Sequence, residues 1–215
     1  MGNDDVFRTG FFLFDEMMGF LPGRVHLVVG RCDLGFHLLD RLVSLSAFSG
    51  RDVRYIDGAH RANPFSMASV LRSRRVDPYG PLNRVRIARA FTAHQMDSLI
   101  RTRLDGGDLI LVTAMDSLFS DPQVPDDEGK GMLDNCMEVL EEKAKGGSCV
   151  VIAAMGAGRG GELVQRMRSR VSGWVTLHDR PGNRVRVVVQ GGGWRDLRMV
   201  DPFQYLLEDF AAEAA

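Results

Sequence analysis

The sequence predicts an α/β protein: a mostly parallel central sheet flanked by helices, extended by antiparallel strands near its C-terminal end. Three observations carry this. Apolar runs alternate with amphipathic segments from Val25 to Ala154. The early runs are near-continuous in apolar residues, as strands buried on both faces must be. The late runs alternate apolar with polar around the turn Arg180-Pro181-Gly182-Asn183, a hairpin signal.

The elements follow in order. Phe7, Phe11, Phe12 and Phe14 crowd an entry segment read as extended, with Phe12 and Phe14 buried on one face by alternation. Residues 25–30 (VHLVVG) read as a buried strand. Residues 36–49 carry Leu38, Leu39, Leu42, Val43 and Leu45 at helical spacing. A second strand spans 52–57. A helix spans 64–75, with proline in its first turn, where a missing N–H costs little. A short strand (84–89), a helix (93–104) and a buried strand (109–114, LILVTA) come next. A long helix over 128–145 ends at Gly146-Gly147. Residues 148–154 (SCVVIAA) are another buried strand, and 156–161 a glycine-rich loop. Strands at 171–177, 184–190 and 194–200 precede an amphipathic helix, with Phe203, Leu206, Leu207 and Phe210 on one face. No repeat or long linker interrupts the chain, so it reads as one domain: an entry segment to residue 20, a core over 21–201 and a closing helix over 202–215.

Composition removes several function classes. The 215 residues carry a net charge of −1, which argues against a generic polybasic nucleic-acid binder. Three scattered cysteines supply neither a disulfide framework nor a zinc site. The five histidines show no metal-ligand pairing, and Gly-x-Ser-x-Gly is absent. No apolar run approaches the ~18–20 residues of a membrane span, and the acidic start is no signal peptide, so a cytoplasmic protein without a membrane partner is expected. Only three of the 27 basic residues are lysine, and the first 129 residues contain none.

That gap falls on a motif. In a strand–loop–helix unit, G-x-x-x-x-G-K-[ST] cradles phosphate on backbone N–H groups, with lysine on the β/γ-phosphates and a hydroxyl on magnesium. Here the stretch runs Gly30-Arg31-Cys32-Asp33-Leu34-Gly35-Phe36-His37. Both glycines keep the spacing, with the helix expected to open near Gly35. Phe36 stands at the lysine position and His37 at the hydroxyl position, while Asp33 puts negative charge in the loop. Arg31 is the one nearby cation.

With these residues in view, the chain resembles the RecA/RadA recombinase superfamily, in particular archaeal RadA-like paralogues, and more distantly KaiC-type ATPases. The resemblance runs over residues 6–205. Arg8-Thr9-Gly10 with Phe14-Asp15-Glu16-Met17-Met18-Gly19 is similar to the family's entry segment. Arg89-Ala90-Phe91-Thr92-Ala93-His94-Gln95-Met96 is similar to its "ARAF…HQ" segment, the most specific match. Asp116-Ser117 after the strand over 109–114 resembles Walker B, and Asp201-Pro202 the family's exit. The resemblance implies a RecA-like P-loop core, a degenerate nucleotide site at Gly30, Arg31, Gly35, Phe36, His37, Asp116 and Ser117, and side-by-side assembly. It also implies losses. The water-activating glutamate position is Ala59, and the polar sensor position falls near Met155. Asp116 and Asp57 are retained, each also suited to a structural turn.

In the family, two loops approach DNA. The matching stretches are 120–131, which is acidic, and 155–171, which carries Arg159, Arg166, Arg168 and Arg170 among glycines. The second is the candidate DNA contact, weak and salt-sensitive; a solvated helix face is the plain alternative. Arg72, Arg74, Arg75, Arg84, Arg86 and Arg89 form a second basic cluster, read as solvated or paired.

The expectation is therefore a catalytically inactive RadA/RecA-like paralogue, a binding or regulatory module in DNA repair or recombination. It has no catalytic or metal-ligating residues and needs no cofactor beyond weak ATP–magnesium binding at most. Its partners are a RecA-family recombinase or another protein, with single-stranded DNA contacted weakly. Two alternatives stay open. One is a divergent ATPase using Arg31, or Lys130 of a neighbouring subunit, as substitute cation. The other is a KaiC-type signalling regulator without DNA binding.

Overall fold

A computed structural model of the chain describes residues 6–30, 33–181 and 184–198. The eight strands are β1 (Val25–Val29), β2 (Val53–Asp57), β3 (Val85–Arg89), β4 (Leu109–Thr113), β5 (Cys149–Ala154), β6 (Gly173–Arg180), β7 (Arg184–Val189) and β8 (Trp194–Arg198). They form one sheet in the order β3-β2-β4-β5-β1-β6-β7-β8. Every pairing from β3 to β6 is parallel, and β6-β7-β8 is an antiparallel meander. The mostly parallel α/β architecture with late antiparallel strands is the one expected.

The helices are α1 (Phe12–Met17), α2 (Asp33–Phe48), α3 (Pro64–Arg72), α4 (Tyr79–Leu82), α5 (Ala93–Thr102), α6 (Met115–Phe119), α7 (Asp126–Lys145) and α8 (Gly160–Arg168). They cover the two sheet faces separately. Val28, Tyr55, Leu111 and Val151 pack with Leu38 and Leu42 of α2. Their strand neighbours Leu27, Ile56, Val112 and Ile152 pack with Met96 of α5, Leu133 of α7 and Leu163 of α8. The central strands β1, β4 and β5 are buried along their whole length, which is why their sequences do not alternate.

Connections moving outward from β1 through β2 to β3 use the α2 face, and those returning through β4 and β5 to β6 use the other, as right-handed crossovers require. The chain thus leaves β1 and its neighbour β5 in opposite directions. A crevice opens beyond the carboxyl ends of strands at such a point, where ligands of open α/β sheets bind.

Three sequence expectations change. The entry segment is not extended: residues 12–17 form α1, Phe14 is buried, and Phe12 is 69% exposed. The Asp15 carboxylate drives the turn by accepting from the Thr9 and Gly10 N–H groups at 2.8 and 3.0 Å. α3 stops at Arg72, because Arg75 leaves in the left-handed region at φ +59°. The glycine-rich stretch continues into α8, whose buried Leu163, Val164 and Met167 follow glycines that mask the helical period. The expected closing helix and the Asp201-Pro202 exit lie outside the described residues. Among the described residues no helix is long and apolar enough to cross a membrane.

Candidate functional site

The residues singled out from the sequence meet at the carboxyl ends of β1, β4, β5 and β2. Gly30 closes β1, its N–H donating to the Ala154 carbonyl at 2.9 Å. A Cβ there would lie 2.7 Å from the Leu177 carbonyl oxygen, so β6 approaches too closely for any other residue. Arg31 lies outside the described residues. The helix does not open near Gly35; α2 begins at Asp33 and takes Gly35, Phe36 and His37 into its first turns. α2 has thus begun by Asp33, inside the stretch between the two glycines. A phosphate cradle needs the full stretch between the two glycines as loop.

Phe36 accounts for the tighter entry. Its ring is partly buried against the α2-side core, and the Arg61 guanidinium sits 5.6 Å over it. Phe36, Leu39, Met155 and Leu177 close around Gly30 and Gly35, leaving a space of about 10 Å³. That is room for one water at most. The buried His37 Nδ1 has no hydrogen-bond partner among the described residues.

Asp116 is fully buried. Ala114, at φ +56°, turns the chain sharply out of β4 and sets Met115 and Asp116 at the start of α6. The carboxylate then accepts the Met155 N–H at 3.1 Å and the Gly156 N–H at 2.8 Å. Burial raises its pKa, and these backbone donors pull it back. Both oxygens are engaged in tying the end of β5 to the end of β4. Ser117, next in sequence, points to the exposed side of α6.

Asp57 is equally enclosed. It accepts from the Thr113 hydroxyl at 3.1 Å and from the Arg61 and Ala62 N–H groups at 3.2 and 3.0 Å, with Arg89 Nε at 3.6 Å. It holds the turn after β2. Ala59, at the position a base would occupy, presents only a methyl group beside Thr113. Met155, at the sensor position, contributes its backbone N–H to Asp116.

The four candidate DNA-contacting arginines each have an intramolecular partner. Arg159 pairs with Asp126. Arg166 reaches Asp134 at 2.5 Å. Arg170 donates to Glu141 at 2.7 Å, which raises its pKa further. Arg168 lies 4.2 Å over the Trp174 ring and donates to the Thr176 hydroxyl at 3.1 Å. Lys130 pairs with Glu162 at 3.7 Å. In the second basic cluster, Arg84 pairs with Asp52 at 3.5 Å. No group of three or more His, Cys, Asp or Glu able to hold a metal occurs among the described residues.

Sequence reasoning passed over one cleft. About 630 Å³ opens between the ends of β1 and β5 and the β6–β7 ribbon, lined by Gly30, Gly156, His178, Arg180 and Arg186. Its signal was the alternation Trp174, Thr176, His178, Arg180 along β6, visible only as strand patterning. No protein-family model matches the chain, and no curated protein sequence matches it.

Proposed function

We propose that the protein is a RecA/RadA-type core that has lost ATP chemistry and works as a binding or regulatory module in DNA repair or recombination, alongside an active RecA-family protein. One observation carries the loss of catalysis. The Asp116 carboxylate, placed where magnesium would be ordered, is spent on the Met155 and Gly156 N–H groups. Supporting it, Phe36 stands where a cation would meet phosphate, and the space around it holds one water at most. The strand reversal between β1 and β5 supports the core assignment, since it sets Gly30 and Asp116 near one crevice.

Titration calorimetry with magnesium–ATP, together with a phosphate-release assay, tests the reading. No heat of binding and no turnover are expected. Micromolar binding with magnesium-dependent hydrolysis would overturn it. Co-purification with a RecA-family recombinase from native extract tests the partner.

A further inference from the structure

We infer that the open face of the β6-β7-β8 meander binds single-stranded nucleic acid, with bases stacked on Trp194 and phosphates held by Arg180 and Arg184. The register divides the ribbon cleanly. Val175, Leu177, Val185, Val187 and Leu197 enter the α2-side core. The residues between them look the other way. Thr176 pairs with Val188, His178 with Arg186, and Arg180 with Arg184; β8 sets Trp194 and Asp196 beside Val188 and Arg186. His178, Arg180, Arg184 and Trp194 are exposed, Trp194 by 57%.

This face is basic. Among its described residues Arg180, Arg184 and Arg186, with Arg168 of α8 at its edge, stand against Asp196, and Asp179 lines the adjoining cleft. The Asp196 carboxylate is already gripped by Arg186 through bonds of 2.7 and 2.9 Å, which lower its pKa. Arg180 and Arg184 are left directly opposite each other, a like-charge rung that destabilises an antiparallel pair. A polyanion relieves that repulsion. The planar groups argue for nucleic acid over an acidic peptide. Arg186 lies 4.1 Å over Trp194, a guanidinium–indole stack on the exposed surface, while the half-buried Trp174 has Arg168 of α8 4.2 Å over its ring. Bases stack on both aromatic rings and guanidinium planes, tolerant of sequence. The face runs directly into the 630 Å³ cleft, which gives a strand crossing the ribbon room to continue.

Trp194, Arg180 and Arg184 lie on other elements than Arg159, Arg166, Phe36 and Asp116. Failure of this face to bind would leave the reading of an inactive core standing, and the converse holds too. The chain contains two tryptophans, and Trp194 lies on this face with Trp174 half-buried beside α8, so intrinsic fluorescence reports the site.

The test titrates the full chain with oligo(dT) and, in parallel, oligo(U), at ~50 mM salt, following tryptophan quenching and the anisotropy of a labelled strand. Saturable quenching is expected with at least one polymer. Trp194→Ala should weaken binding about tenfold, as loss of one stacked base does. Arg180→Ala/Arg184→Ala should weaken it and flatten the log–log salt dependence by about 1.4, from two phosphate contacts at ~0.7 each on single strands. Circular dichroism checks that each variant folds, and the surface arginine pair keeps the test open if Trp194→Ala does not. Absence of binding to either polymer would overturn the proposal. So would binding unaffected by both sets of substitutions, or equal quenching by polyglutamate.

Discussion

Asp40 and His26 set opposing pH dependences on stability that substitution can separate. Asp40 lies in α2, 3% exposed. Burial pushes its carboxyl up from 3.8 to about 7, against the pull of the Ser66 hydroxyl and the Asn63 backbone, with Asp57 adding to the rise. The folded state therefore binds the proton more tightly than the unfolded chain. Its stabilising contribution is complete below pH 3.8 and is lost as pH rises through about 7. At ~1.36 kcal/mol per unit, the loss is about 4 kcal/mol. His26 is 4% exposed, and its Nε2 accepts the Leu21 N–H at 2.9 Å, which requires the neutral ring. Burial lowers it from 6.5 to about 4, helped by Arg24. Its contribution is complete above pH 6.5 and is lost as pH falls through about 4, a change of about 3 kcal/mol.

Between pH 4 and 7 the two nearly cancel. Asp40→Asn breaks the balance, because the amide imitates the protonated acid at every pH. Urea unfolding of both proteins from pH 4 to pH 8 measures the difference directly. The variant should match the parent near pH 4 and exceed it by about 4 kcal/mol at pH 8. A pH-independent difference, or a variant less stable at pH 8, would refute the assignment of a strained carboxylate to this position. His26→Gln should produce the complementary curve, losing the acid-side decline.

Four further outcomes follow, three of them at the ends of the strands. Asp116→Ala strands the Met155 and Gly156 N–H groups and should cost about 2–4 kcal/mol in urea unfolding. The same substitution should leave ATP binding, expected to be absent already, unchanged by calorimetry. Gly30→Ala drives a methyl into the Leu177 carbonyl and should cost about 1–3 kcal/mol, with a matching fall in thermal midpoint. Phe36→Lys/His37→Thr rebuilds the phosphate-binding residues in name only; calorimetry should still show no ATP binding, because α2 already starts at Asp33. Arg159→Ala removes a half-exposed ion pair with Asp126 and should change stability by less than about 1 kcal/mol.

The sheet was legible wherever burial wrote a simple pattern. Runs such as LILVT and CVVIAA leave a buried strand as the economical reading, and the structure has β4 and β5 there. The short helices were not legible, for two reasons. Residues 12–17 owe their helix to a side-chain bond that apolar patterning does not reveal, the Asp15 carboxylate folding back on Thr9 and Gly10. α8 begins inside glycines whose propensity argues against it, and the packing of Leu163 and Met167 overrides that preference. At the candidate site, the residue substitutions could be read off the chain, but their geometric result could not. Nothing local says that α2 would start two residues before Gly35, or that Asp116 would turn inward onto the β5 loop. The inward turn of Asp116 rests on Met155 and Gly156, some forty residues away, and Gly30 packs on Leu177, more than a hundred residues away.

Those contacts also show how the backbone donors at the strand ends are satisfied. In a strand–loop–helix site, a bound anion satisfies the backbone N–H groups at the crevice. Without it, buried donors would cost about 1–3 kcal/mol each. At the neighbouring strand ends, carboxylates of the chain satisfy such donors. Asp116 accepts the donors at Met155 and Gly156, and Asp57 accepts those at Arg61 and Ala62. Phe36 fills with ring carbon what phosphate and lysine would fill with charge. A lysine at that position would bring a cation beside engaged carboxylates and into the packing of Phe36, Leu39, Met155 and Leu177, where the free space is about one water. The absence of lysine from the first 129 residues is consistent with a crevice that satisfies itself, leaving the exposed arginine–tryptophan face of β6-β7-β8 as the surface with charge to spare.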